Sequence, residues 1–106
     1  MRHLKTFENK SNGWIIPIDE KDLNVSIFRD LPDVRDKARE GDTVIGVWFS
    51  GDFDVYLLKL GRGLGCSYND TWFDIEWAWG VFNPKDYNKL ADKPIELTIA
   101  ANKYNL

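Results

Sequence analysis

Few residues in this chain have side chains suited to catalysis. There is one histidine, His3, and one cysteine, Cys66. A thiol or hydroxyl nucleophile needs a base, usually imidazole, oriented by a third group. His3 sits in a terminal segment of the kind that frays, so Cys66 reads as a small filler beside a turn. Structural zinc needs four thiolate or imidazole ligands, and one of each is too few. Carboxylates offer more. Asp52 and Asp54 are two residues apart, as are Asp74 and Glu76, so each pair shares a strand face. No EF-hand pattern surrounds them, and paired acids are ordinary on the open face of an antiparallel sheet. Asp70, Asp74 and Glu76 stand among Trp72 and Trp77, and sugars stack on such rings. Glycoside hydrolysis, however, needs two carboxyls at a set separation across a cleft, and sequence does not supply that distance. Gly61, Gly63 and Gly65 follow an extended segment, but the dinucleotide fingerprint is G-x-G-x-x-G opening a helix. Residues 66–70 have no helical period, so a glycine hairpin fits better. No catalytic residue, metal site or cofactor is expected.

The remaining signal is aromatic and acidic. The chain has five Trp, six Phe and four Tyr, and ten of these rings lie between Trp48 and Phe82. From Glu40 to Pro84 there are seven acids and two bases, a net of -5, against -3 for the whole chain. By strand alternation Trp72 shares a side with Asp74 and Glu76, and Tyr56 shares one with Asp52 and Asp54. Trp48 lies opposite Ile45, Val47 and Phe49. With registers aligned, Trp48, Tyr56 and Trp72 stand among Asp52, Asp54, Asp74 and Glu76. Aromatic anchors inside a charged rim are the composition of a protein-binding hot spot, and a negative rim steers a basic partner. These seven residues are the expected partner-binding set.

The elements that position them follow from pattern. After the turn signal Ser11-Asn12-Gly13, residues 14–18 read as a strand, and residues 23–27 alternate like another. Residues 31–40 read as a short amphipathic helix, with Asp30 as cap, Pro32 in the first turn and Gly41 closing it. Residues 42–49 and 53–60 form strands around the turn Ser50-Gly51-Asp52. Residues 72–82 read as one long strand with Phe73, Ile75, Trp77, Trp79 and Val81 on a common face, and Gly80 marking a bend. Asn83 caps a second helix, with Pro84 at its first position, that must end before Pro94. Residues 95–99 alternate as a last strand. The expected fold is α+β: a mostly antiparallel β-sheet or partial β-barrel with two short helices, one domain over residues 1–106.

Residues 31–40, then Gly41-Asp42-Thr43-Val44-Ile45, a strand and a glycine-containing turn resemble the central part of PUA/EVE-type β-barrels. That resemblance implies a pseudo-barrel that reads RNA or modified DNA bases, often with an aromatic pocket. It covers under a third of the chain, and the acidic balance departs from the basic groove such a role suggests. No site residue is carried over from it.

A chain of 106 residues and a net charge of -3 excludes a two-domain enzyme and argues against strong nonspecific nucleic-acid binding. A single cysteine, no long apolar run and no apolar leader imply a cytoplasmic protein without a membrane segment. The favoured expectation is a small acidic non-enzymatic binding protein. It would inhibit or sequester a larger, basic, nucleic-acid-handling protein, in the manner of a phage anti-defence or bacterial immunity protein. The alternative is a PUA/EVE-like nucleic-acid or nucleotide module. Lys5, Lys10, Lys21, Arg35 and Arg39 would supply its charge, and Trp14 or Trp48 would stack a base. A carboxylate hydrolase comes third. A monomer or small homo-oligomer is expected, the latter through the edge of residues 95–99.

Overall fold

A computed structural model describes residues 13–98. Its centre is the hairpin of β2 (Thr43–Phe49) and β3 (Phe53–Lys59), joined at Ser50-Gly51-Asp52 with Gly51 at φ +98°. Positive φ is free of steric cost only for glycine, which is why the turn falls there. The hairpin register pairs Val47 with Val55 and Trp48 with Asp54. β1 (Trp14–Pro17) adds to the outer side of β3, and β6 (Gly80–Phe82) to the outer side of β2. The result is an antiparallel sheet in the order β1-β3-β2-β6. This is the expected α+β class, with an open sheet and no closed barrel among the described residues.

Both faces of the sheet are covered, so β2 is apolar on both sides and its alternation is weak. On one face Ile45, Val47, Val55 and Leu57 pack with Ile18, Ile27, Phe28, Phe82, Tyr87 and Ile95. On the other, Ile15, Val44 and Leu58 pack with Cys66, Ile75, Ala78 and Val81. A second hairpin supplies much of that second cover. It consists of β4 (Gly65–Tyr68) and β5 (Thr71–Asp74) around Asn69 and Asp70, both at positive φ. Two residues at positive φ give the turn twist that matches right-handed strands. The glycine connection read over residues 61–65 is followed at once by β4, a strand for which residues 66–68 carry no period signal.

The second expected helix is present as α1 (Pro84–Leu90), with the Asn83 side chain accepting from Lys85 N–H at 2.8 Å. Four other expectations need correction. Residues 31–40 are not an α-helix; only Arg35–Lys37 form a 3₁₀ turn. Val34 rather than Asp30 is the N-cap residue; the Asp33 side chain accepts from Arg35 N–H at 2.9 Å, and Val34 N–H is drawn to Val81 O at 2.8 Å. Residues 23–27 are not a strand. Asn24 caps a 3₁₀ helix, Val25–Asp30, that turns Ile27 and Phe28 into the core. The span 72–82 is not one strand either. The Asp74 side chain accepts from Glu76 N–H at 2.9 Å and starts a 3₁₀ turn, Ile75–Trp77. Side chain-to-backbone bonds of this kind compete directly with the strand ladder. Residues 95–98 form a further 3₁₀ helix, because Asn88 Oδ1 accepts from Ile95 N–H at 2.7 Å and Thr98 Oγ1 donates to Ile95 O at 2.7 Å. The strand edge expected to pair two copies is therefore absent over residues 95–98. Residue 99, His3, Lys5, Lys10 and the Ser11-Asn12 part of the first turn signal lie outside the described residues. Among the described residues no helix is long and apolar enough to cross a membrane.

Candidate protein-binding surface

The break at Asp74 decides which rings reach solvent. On β5 the alternation still holds. Phe73 turns inward with Cys66 and Tyr68, while Trp72 turns outward over the Gly63–Gly65 backbone. The inward ring completes a cluster on the sheet. Trp48 and Tyr56 are brought together by the β2–β3 register, 5.8 Å apart between ring centres at 71°. Phe73 lies 5.1 Å from each, and Tyr68 lies 6.1 Å from Tyr56. Edge-to-face pairs of this geometry each add about 0.5–1.5 kcal/mol beyond their buried area. Burial raises the Tyr56 hydroxyl pKa above its ordinary value, and the nearby Asp54 carboxylate and Tyr68 add to the effect.

Of the seven expected partner-binding residues, the structure therefore joins Trp48, Asp54 and Tyr56 on one sheet face. It covers both rings with the second hairpin. Trp72 stands on the far side of that hairpin. Asp52 is at the tip of the first hairpin, and Asp74 is engaged in capping, with Glu76 exposed beyond it. The single acidic face with three rings on it does not form.

A different aromatic surface does. Past the 3₁₀ turn the alternation restarts out of phase. Ala78 is buried, while Trp77 is 78% exposed and Trp79 is 44% exposed. Trp79 N–H donates to Val47 O at 2.7 Å, which lays its ring beside the end of the first hairpin. There Phe49, 55% exposed, lies 4.9 Å from Phe53, and Phe53 lies 5.1 Å from Trp79. Behind them Trp79 is 6.2 Å from Phe82, which stacks on Phe28 at 5.1 Å. The ridge of Phe49, Phe53 and Trp79 is thus rooted in a packed core while its outer rings face water. Asp52 and Glu76 flank it in sequence, and neither carboxylate has an ion-pair partner among the described residues.

A polar clamp fixes the segment that carries Trp77. Arg35 Nη1 donates to Ile75 O at 3.2 Å and to Glu76 O at 3.1 Å. Its Nη2 reaches Asp33 Oδ2 at 2.7 Å, and that oxygen also accepts from Val81 N–H at 3.3 Å. Burial pushes the Asp33 carboxyl upward, but the Arg35 guanidinium and the backbone N–H groups of Arg35 and Val81 outweigh it. Its pKa lies below the ordinary value. One ion pair therefore ties residues 33–35 to both ends of the segment 75–81.

Alternation put Phe49, Trp77 and Trp79 on apolar strand faces, so their exposure was not legible from sequence. The signal that could have found them is Asp74 two residues before Glu76, a spacing at which an Asp side chain turns the chain. Cys66 is fully buried. Among the described residues no three His, Cys, Asp or Glu side chains come together as a metal site. Asp70 sits at positive φ in the second hairpin's turn. Comparisons with protein-family models, curated proteins and solved structures give no match to this chain.

Proposed function

We propose that this chain is a small, acidic, non-enzymatic binding domain that captures a larger protein through the Phe49–Phe53–Trp79 ridge and the exposed Trp77 that precedes Trp79 on the same segment. The supporting observation is one rigid aromatic ridge, exposed on its outer side and anchored in the core on its inner side. Rings already held in place lose little freedom on binding, which is why tryptophans dominate hot spots. The net charge of -3, with exposed Asp52 and Glu76 flanking the ridge residues in sequence, favours a basic partner and fast, salt-sensitive association. Proteins that handle nucleic acid carry clustered positive charge and are one such class of partner. Occupying such a partner would inhibit or sequester it, as anti-defence and immunity proteins do by analogy. The nucleic-acid module draws less support. Arg35 is committed to the clamp, and Trp48 is engaged in edge-to-face contacts with Tyr56 and Phe73.

The experiment is capture of partners from nuclease-treated bacterial lysate by the tagged chain and by a Phe49→Ala/Trp77→Ala variant. The proposal expects one protein at near-equal stoichiometry with the wild type and none with the folded variant. Material that disappears on nuclease treatment, or that both chains hold equally, would contradict it.

A further inference from the structure

Beside the ridge, the 3₁₀ helix Val25–Asp30 and the rings of Phe53 and Trp79 enclose a cleft of about 160 Å³, lined by Val25, Ser26, Phe28, Arg29, Phe53 and Trp79. We infer that this cleft receives a single aliphatic side chain of the partner, with a carboxylate beside it that pairs with Arg29. The inference rests on the reading of the ridge as a protein-binding surface, and deepens it by stating the partner's anchor.

Three observations carry it. The walls are fixed before anything binds. The Asn24 side chain caps the 3₁₀ helix by accepting from Ser26 N–H at 3.2 Å, Phe28 is buried against Phe82 and Tyr87, and Trp79 is held by its bond to Val47 O. The size suits one side chain. At about 30 Å³ per water in the liquid, the cleft has room for about five waters, or one branched aliphatic group, and not for a nucleobase with its sugar. The lining is apolar except for Ser26, which is held by Asn24, and Arg29, which is exposed with no ion-pair partner among the described residues. A fixed apolar cleft with one cation in its lining selects an apolar group that carries a negative charge at short range. A well-packed anchor of this kind, surrounded by contacts that exclude water, is the usual centre of an interface. The partner as a whole is expected to be basic, so this local carboxylate would fix orientation on the surface.

The test needs no knowledge of the partner. The probes are 4-methylpentanoate, a leucine side chain bearing a carboxylate, and isopentylamine, the same branch bearing a cation. Each is titrated into the full chain while the tryptophan indole N–H and Arg29 Nε–H signals are followed by NMR. The inference expects saturable shifts at Trp79 and Arg29 with the carboxylate, and at least tenfold weaker binding of the amine. Arg29→Glu, which reverses the charge of one exposed lining residue and keeps the apolar walls of Val25, Phe28, Phe53 and Trp79, should reverse that preference. Equal response to both probes, no response at Trp79, or shifts spread evenly over Trp72, Trp77 and Trp79 would overturn it. Should the probes bind as expected while no protein is captured from lysate, the wider reading fails and the cleft remains. A captured partner that binds Arg29→Glu as tightly as wild type sinks the cleft alone.

Discussion

Trp77→Ala separates surface from core more sharply than any other substitution here. The residue is 78% exposed, so about a fifth of its side chain is covered. An enclosed tryptophan buries up to about 250 Å², which puts the covered part near 50 Å². At about 25 cal/mol per Å² that amounts to about 1 kcal/mol. For a domain of this size the melting temperature should fall by about 5 °C. If Trp77 sits at the centre of the partner interface, the same substitution should cost at least about 2 kcal/mol of binding, roughly a 30-fold rise in Kd. Two assays check this: calorimetric melting of the variant alone, and titration calorimetry against the captured partner at a temperature where both chains are folded. A stability loss of several kcal/mol would mean that the ring is packed, and that the break at Asp74 does not expose it. An affinity within threefold of wild type would remove Trp77 from the interface.

Further predictions follow from the packing and the clamp. Phe73→Ala should lower stability by about 3 kcal/mol, near the low end for a phenylalanine because the ring is half-buried, seen as a reduced urea midpoint. Gly46→Ala would place a Cβ at 2.5 Å from the Trp48 ring, itself hemmed in by Tyr56 and Phe73. Overpacking of that kind costs about 1–3 kcal/mol, and the variant should melt earlier with an unchanged ridge. Asp33 has a folded pKa below its unfolded value of 3.8. Its contribution is therefore present above pH 3.8 and lost as pH falls through the lower folded value. Denaturant midpoints of wild type and Asp33→Asn should differ steadily between pH 7 and pH 5 and converge below pH 4; a constant difference down to pH 3 would show that the carboxylate charge does not matter.

The parts of the fold that sequence made legible are those where one local signal had no competitor. Asn83-Pro84 opens α1 as read, and the Ser50-Gly51-Asp52 turn sets the β2–β3 hairpin and hence the pairing of Trp48 with Asp54. The illegible parts are those where a short polar side chain took over the backbone. Asp33, Asn24, Asp74 and Asn88 each accept a backbone N–H. Each replaced a periodic helix or strand by a 3₁₀ turn. Residues 72–82 show the consequence best. Their alternation is genuine on either side of Asp74, but the turn shifts its phase, so Trp77 and Trp79 exchange core for solvent. Alternation within β3 correctly placed Tyr56 beside Asp54. It did not show that the Gly65–Asp74 hairpin folds over them, because that contact depends on tertiary packing and not on local period.

The most direct measurement of the central claim is the set of tryptophan indole N–H signals in the complex with the captured partner, read by cross-saturation from the partner. A partner seated on the ridge gives strong transfer to Trp77 and Trp79 and none to Trp48, which the second hairpin covers. Transfer to Trp48 with Trp77 and Trp79 silent would contradict the claim, and would return the interface to the face of Trp48, Asp54 and Tyr56.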